Sequence, residues 1–126
     1  MKHVRNVSLC CLMMILLFGL LGCGKKADEN RPIPEAKAEA EKMNAAELRE
    51  MALTYKEAVT GKKAEVDKLM GQLKDIPIAE KLGADAKKLQ AELKSLNDSI
   101  AALQQRFQIY YNKLKEKGGD LSGLEI

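Results

Sequence analysis

Apolar side chains recur along the second half of this chain in an unbroken alternation. Leu89, Leu93, Leu96, Ile100, Leu103, Phe107, Tyr110 and Leu114 step by 4, 3, 4, 3, 4, 3 and 4, with mostly Lys, Glu, Gln, Asp and Ser between them. That spacing sets them on one face of an α-helix, in the heptad arrangement by which one helix packs into holes on another. Leu82 and Ala86 extend the seam upstream. A stripe this long is too apolar to face water, so it calls for a partner, either another helix of the same chain or a second chain.

The first half is helical in composition but less regular. From Glu35 to Lys74 nearly every residue is a strong helix former. Pro34 suits a first helical position, where its missing N–H loses nothing, and Glu35 suits the positive end of the helix dipole. Leu48, Met51 and Tyr55 step by 3 and 4, Val59 follows by another 4, and Val66, Leu69, Leu73 and Ile76 resume the alternation after a gap at Lys62. Two successive steps of four relax a coiled-coil seam, which would allow a bend near Thr60 and Gly61.

Pro77 disfavours helical geometry at Ile76 and removes a backbone donor, which predicts a turn over Asp75 to Ile78. Two tracts of about 40 residues on either side would each run roughly 60 Å. Near-equal tracts around a tight break predict an all-α fold, an antiparallel two-helix coiled-coil hairpin. Folding about Pro77 would face Leu69 and Leu73 with Leu82 and Ala86, Tyr55 with Leu96 and Ile100, and Leu48 with Phe107. Gly83 and Asp85 offer a second solution: as a C-cap and an N-cap they would make Pro77 to Leu82 a short segment and start the long helix near Ala84, giving a small three-helix bundle. Lys113, Lys115 and Lys117 suit a helix C-terminus, and Gly118 and Gly119 end it. The tail beyond carries Leu121, Leu124 and Ile126, and is expected to fray or fold locally, with docking on a partner as the alternative.

The other end of the chain has a different character. Lys2, His3 and Arg5 precede an apolar run from Val7 to Leu21, which Lys25 and Lys26 bound sharply. The run is shorter than the roughly 20 residues that span a bilayer. It closes on Leu20, Leu21, Gly22 and Cys23, and the whole segment resembles the signal peptide of bacterial lipoproteins with its lipobox, Leu21 being the loosest match. The resemblance implies cleavage before Cys23, acyl chains such as palmitate on that residue, and a lipid-anchored place in the cell envelope. Gly24, rather than Asp, after the cysteine implies the periplasmic face of the outer membrane in a Gram-negative host. The expected organisation is a cleaved signal peptide over 1–22, a lipidated flexible tether over 23–34, a helical hairpin domain over 35–117 and a short tail over 118–126.

Processing would change which chemistry the chain could support. Lys2 and Arg5 would leave, taking the basic residues from 21 to 19 against 18 acidic ones, so no basic stripe for nucleic acid is expected. His3, the single histidine, would go with Cys10 and Cys11, which leaves no Cys/His metal site, disulfide framework or Cys/His catalysis. No cofactor and no catalytic residue is expected, and lipidation at Cys23 is the one site. Glu35, Glu39, Glu47, Glu50, Glu57 and Glu65 lie among lysines at helical spacings, as solvated ion pairs do. Lys62 is expected to snorkel outward, Tyr110 and Tyr111 to pack at the base of the hairpin, and Met43, Met51 and Met70 to fill the core.

These features point away from an enzyme and towards a helical scaffold or protein-interaction module. The expected partners are the membrane, through the acyl chains on Cys23, and a protein or a second copy along the seam, with non-covalent cell-wall contact open. The alternative is a periplasmic carrier or chaperone that holds lipid or extended protein between its helices, which would need an apolar pocket of roughly several hundred cubic ångströms.

Overall fold

The computed structural model describes residues 26–126. The lipobox, Cys23 and the rest of the expected signal peptide lie outside the described residues. The regular structure among the described residues is helical, with no strand: α1 over Ile33–Lys42, α2 over Ala45–Asp75, a 3-10 turn over Ile78–Glu80, and α3 over Ala84–Glu116. Both long helices pack along each other, and α1 packs against α3. Arg49 of α2 reaches the Asp120 carbonyl just past the end of α3, so α2 and α3 run antiparallel.

The helical tract expected to run unbroken from Pro34 to Lys74 is two helices. Met43 and Asn44 are extended at the junction, and the Asn44 side chain accepts the Glu47 N–H at 2.9 Å while the Glu47 carboxylate accepts the Asn44 N–H at 3.0 Å. This capping box satisfies two backbone donors that a helix start would otherwise leave unpaired. The stutter does not interrupt the helix at Thr60 and Gly61: helical hydrogen bonding runs through both, and the Thr60 hydroxyl donates to the Lys56 carbonyl. The stutter is absorbed inside a continuous helix, and the real break lies where a cap makes it cheap.

The turn between the long helices is wider than a break at Pro77 alone would make it. Backbone from Ile76 to Gly83 includes the 3-10 turn, and α3 begins at Ala84, where the Gly83 and Asp85 alternative put it, but with Gly83 as its N-cap rather than a C-cap and with Asp85 inside its first turn. The register shifts accordingly. Tyr55 stacks on Tyr110, ring centroids 5.5 Å apart, rather than facing Leu96 and Ile100. Leu82 leaves the seam altogether and is 87% exposed, whereas Ala86 is fully buried.

Packing is uneven along the length. Leu48, Met51, Tyr55 and Val59 of α2 close on Leu103, Phe107, Tyr110 and Leu114 of α3, and Ala36 and Ala40 of α1 join the same cluster. Small residues one turn apart let α1 approach closely, and burying one face on a neighbour is what holds a helix of only 10 residues. Beyond Val59 the seam thins: Val66, Leu69 and Leu73 of α2 and Leu89, Leu93 and Leu96 of α3 are half-buried. Met43 and Met51 fill the core as expected, while Met70 lies on the surface. Lys62 is half-buried.

The C-terminal tail is part of the base. Gly118 has φ +68°, and the N–H groups of Gly119 and Gly118 donate to the carbonyls of Leu114 and Lys115, which closes α3 with a Schellman motif. Leu124 is fully buried in the core and Leu121 packs against it. Arg49 and Lys56 of α2 hold the tail by donating to the carbonyls of Asp120 and Gly123.

Candidate functional site

Two places concentrate groups that could act on something else: a polar knot at the base and the open end of the α2–α3 pair. The knot is built where the segment before α1 crosses the stacked tyrosines. Tyr110 donates its hydroxyl to the Glu39 carboxylate at 3.0 Å, and the Arg31 guanidinium binds both that carboxylate and the Tyr110 oxygen. The Tyr55 hydroxyl donates to the Asp28 carbonyl and accepts from the Asp28 N–H, each at 3.2 Å. Arg106, 8% exposed, donates through Nε and Nη2 to the Arg31 carbonyl at 3.0 and 2.7 Å, and through Nη1 to the Ala102 carbonyl at 2.8 Å.

The segment 23–34 was expected to be a solvated tether, and its described part is engaged by these side chains at Asp28 and Arg31. Arg106 is the residue that sequence reasoning missed. It lies one position before Phe107 on the edge of the seam, and only the return of the N-terminal segment supplies the carbonyl that takes its charge-assisted hydrogen bonds. Glu39 likewise departs from the solvated pairing expected of it. Glu47 serves as a capping residue, a role that Asn44 three residues earlier signals in the sequence.

The electrostatics of the knot suit a structural clamp. Burial, opposed by the hydrogen bond from Arg31 and reinforced by Glu39, pushes the Tyr110 phenol up to about 12. Tyr110 is thus a neutral donor throughout the ordinary pH range, and its hydroxyl is already committed to Glu39. Lower down, Lys113 bridges Glu41 of α1 and Glu116 of α3 at 2.6 Å each, and its hydrogen bond holds the Glu41 carboxyl below its usual range. The Lys113–Glu41 pair fastens α1 to α3, and no group in the knot has a free, perturbed acid or base facing an open cavity. Among the described residues no cluster of three or more metal-ligating side chains forms.

The open end has the opposite character. Ile78 and Leu82 are 85% and 87% exposed in the connector. Behind them a surface groove of about 400 Å³ runs between α2 and α3, where Leu69 and Leu96 form the floor and Glu65, Lys68, Gln72 and Glu92 the rims. Its lining is mixed rather than apolar. Among the described residues no helix is long and apolar enough to cross a membrane.

No known protein family, curated protein or solved structure matches the chain. Its own geometry therefore carries the functional reading.

Proposed function

We propose that this chain is a non-enzymatic, lipid-anchored cell-envelope protein whose helical body serves as a scaffold or protein-interaction module. The observation that supports it is the unequal coverage of one continuous seam. At the base, α1 and the tail cover the seam that α2 and α3 form, whereas the distal seam has only two helices around it and leaves Leu69 and Leu96 at the floor of a groove. A partner helix laid there would bury these side chains as α1 and the tail bury their counterparts at the base, with charged rims to choose it. In architecture, α2 and α3 make a two-helix hairpin, and α1 acts as a short strap across its base. The acyl chains expected on Cys23 hold the body at the membrane, on the periplasmic face of the outer membrane in a Gram-negative host.

A photo-crosslinking residue at Gln72, on the rim of the groove, tests the interaction in intact cells. A discrete adduct that disappears on Leu96→Asp is expected, with none from the same residue at Lys115; no adduct at Gln72 would defeat the module. Cys23→Ala tests the anchor, and continued membrane retention of the variant would defeat it.

A further inference from the structure

The residues before α1 are fastened to the body as far back as Ala27. The Tyr55 hydroxyl holds both the N–H and the carbonyl of Asp28, the Arg31 N–H donates back to that carbonyl at 3.4 Å, and Ala27 packs against the core. Arg106 holds the other side of this turn at the Arg31 carbonyl. Only Gly24, Lys25 and Lys26 then separate Cys23 from the first fastened residue. Four peptide steps reach about 14 Å at full extension, whereas the ten steps to Ile33 would reach about 35 Å were the whole segment free. A tether of this length leaves little play.

It also leaves from a flank rather than from an end. Tyr55 stands ten residues from the start of α2 and twenty from its end, about 15 Å and 30 Å at 1.5 Å per residue. Cys23 therefore falls short of the connector and reaches the plane of the base only when fully drawn out. The turn also marks which flank this is. Glu29 and Asn30 line a groove with Lys94, Ser95 and Asp98 of α3, and that groove meets the distal one over Leu69 and Leu96 at Ser95. Asn97, exposed like Ser95, is two residues further and about 200° round the helix, so the width of α3, about 10 Å, stands between them. About 14 Å of chain is too short to pass round two packed helices to the far flank. Charge does not select the near one: Lys68 and Lys94 are outnumbered by Glu29, Glu65, Glu92 and Asp98, which gives anionic headgroups nothing to attract.

We infer that the anchor holds this protein side-on to the bilayer: the flank crossed by residues 27–31 faces the lipid surface, and the clamp that Tyr55 and Arg106 place on that turn keeps the separation short. This rests on the lipid anchor proposed above and extends it. The distal groove opens on the same flank, so a helix that docks there is drawn from the membrane surface and not from a structure standing far off it.

The test uses the full chain, expressed in a bacterium, purified in detergent and returned to phosphatidylethanolamine–phosphatidylglycerol vesicles that carry an energy acceptor on some headgroups. A donor dye is placed on Ser95→Cys or on Asn97→Cys, each the one free thiol once Cys10 and Cys11 leave with the signal peptide and Cys23 is acylated. Intact mass reads processing and acylation in the same sample. An acylated mass is expected, with the position-95 donor nearer the headgroups than the position-97 donor by about 10 Å, the width of the helix. Ten Gly and Ser residues inserted after Lys25 leave every residue of the body in place, add about 17 Å of flexible reach and should cut that difference to less than half. Salt at about 0.5 M should leave it nearly unchanged. An acylated protein whose two donors are equally distant, or whose position-97 donor is the nearer, overturns the side-on placement and leaves the anchor standing. A difference that survives the insert, or one that salt abolishes, overturns it too, because the tether would not then be what sets the orientation. An unmodified mass overturns the anchor and the orientation with it.

Discussion

The base and the distal half of this molecule use the same two helices and the same heptad spacing, yet they are different materials. At the base, Leu48, Tyr55, Phe107, Tyr110 and Leu114 have 2% or less of their surface exposed, because α1 and the tail cover flanks that two helices leave open. In the distal half the corresponding Leu69, Leu73, Leu89 and Leu93 are only half-buried. A two-helix seam has a wet side however well its period is kept, and dryness comes from what lies across it. Rigidity should follow: the base is expected to exchange its amide protons by global unfolding and the distal half by local opening.

Substitutions can test that difference. Phe107→Ala should destabilise the fold by about 3–5 kcal/mol, and Leu96→Ala by less than half as much, because the distal side chain already keeps part of its surface in water. Chemical denaturation of both variants reads this directly, and equal losses would mean that the two halves are packed alike.

Arg106→Met removes the two hydrogen bonds on the Arg31 carbonyl while keeping the length of the side chain. It should cost about 1.5–3 kcal/mol and raise amide exchange across residues 28–31 without loosening the distal half. Protection that falls first near Leu93 would place the coupling elsewhere.

High pH should attack the base selectively. Tyr110 titrates near 12 in the folded protein against 10.0 for a free phenol, so folding favours the protonated form. That contribution is complete below pH 10 and is lost as pH rises from 10 through 12, about 1–2 kcal/mol after allowance for solvent screening. Thermal melts across that range should show Tm falling, and Tyr110→Phe should flatten the part due to this residue. A wild-type Tm that holds to pH 12 would remove the knot from the account.

Smaller effects separate the halves further. Asn44→Ala deletes the cap at the start of α2 and should cost about 1 kcal/mol. Gly71→Ala should instead stabilise by about 0.5–1 kcal/mol, because a Cβ there meets nothing within 4 Å and the helix gains propensity. A loss at Gly71 would show that the groove face needs the close approach a glycine allows. By contrast, Gly119→Ala has no such room, since its Cβ would sit 2.1 Å from Cδ1 of the buried Leu114.

Much of this fold was legible in the residue pattern, because helix formation and seam position are set by neighbours within one or two turns. The α3 seam lies where the 4 and 3 alternation puts it, α2 ends just before Pro77, and Gly118 follows the end of the last helix. The break at Asn44 was legible too, in an Asn followed three residues later by Glu, but the run of helix formers around it hides the signal. The register between α2 and α3 was not. It depends on how many residues the connector takes up, and Gly83 as N-cap rather than Pro77 as pivot moved Tyr55 from Leu96 to Tyr110.

The candidate sites divide along the same line. That Cys23 could carry an anchor is a local motif, and so is the absence of any Cys/His chemistry downstream of it. Which groups form the knot is not local: Arg31, Glu39, Tyr55, Arg106 and Tyr110 meet only because the segment before α1 folds back over α3. Leu124 shows the same limit, an apolar residue in a short tail whose burial depends on a surface more than 60 positions away in sequence. Periodicity and caps act through short-range geometry that the order of residues encodes directly. Register, flank coverage and the path of the N-terminal segment over α3 are compromises among distant surfaces, which no local pattern encodes.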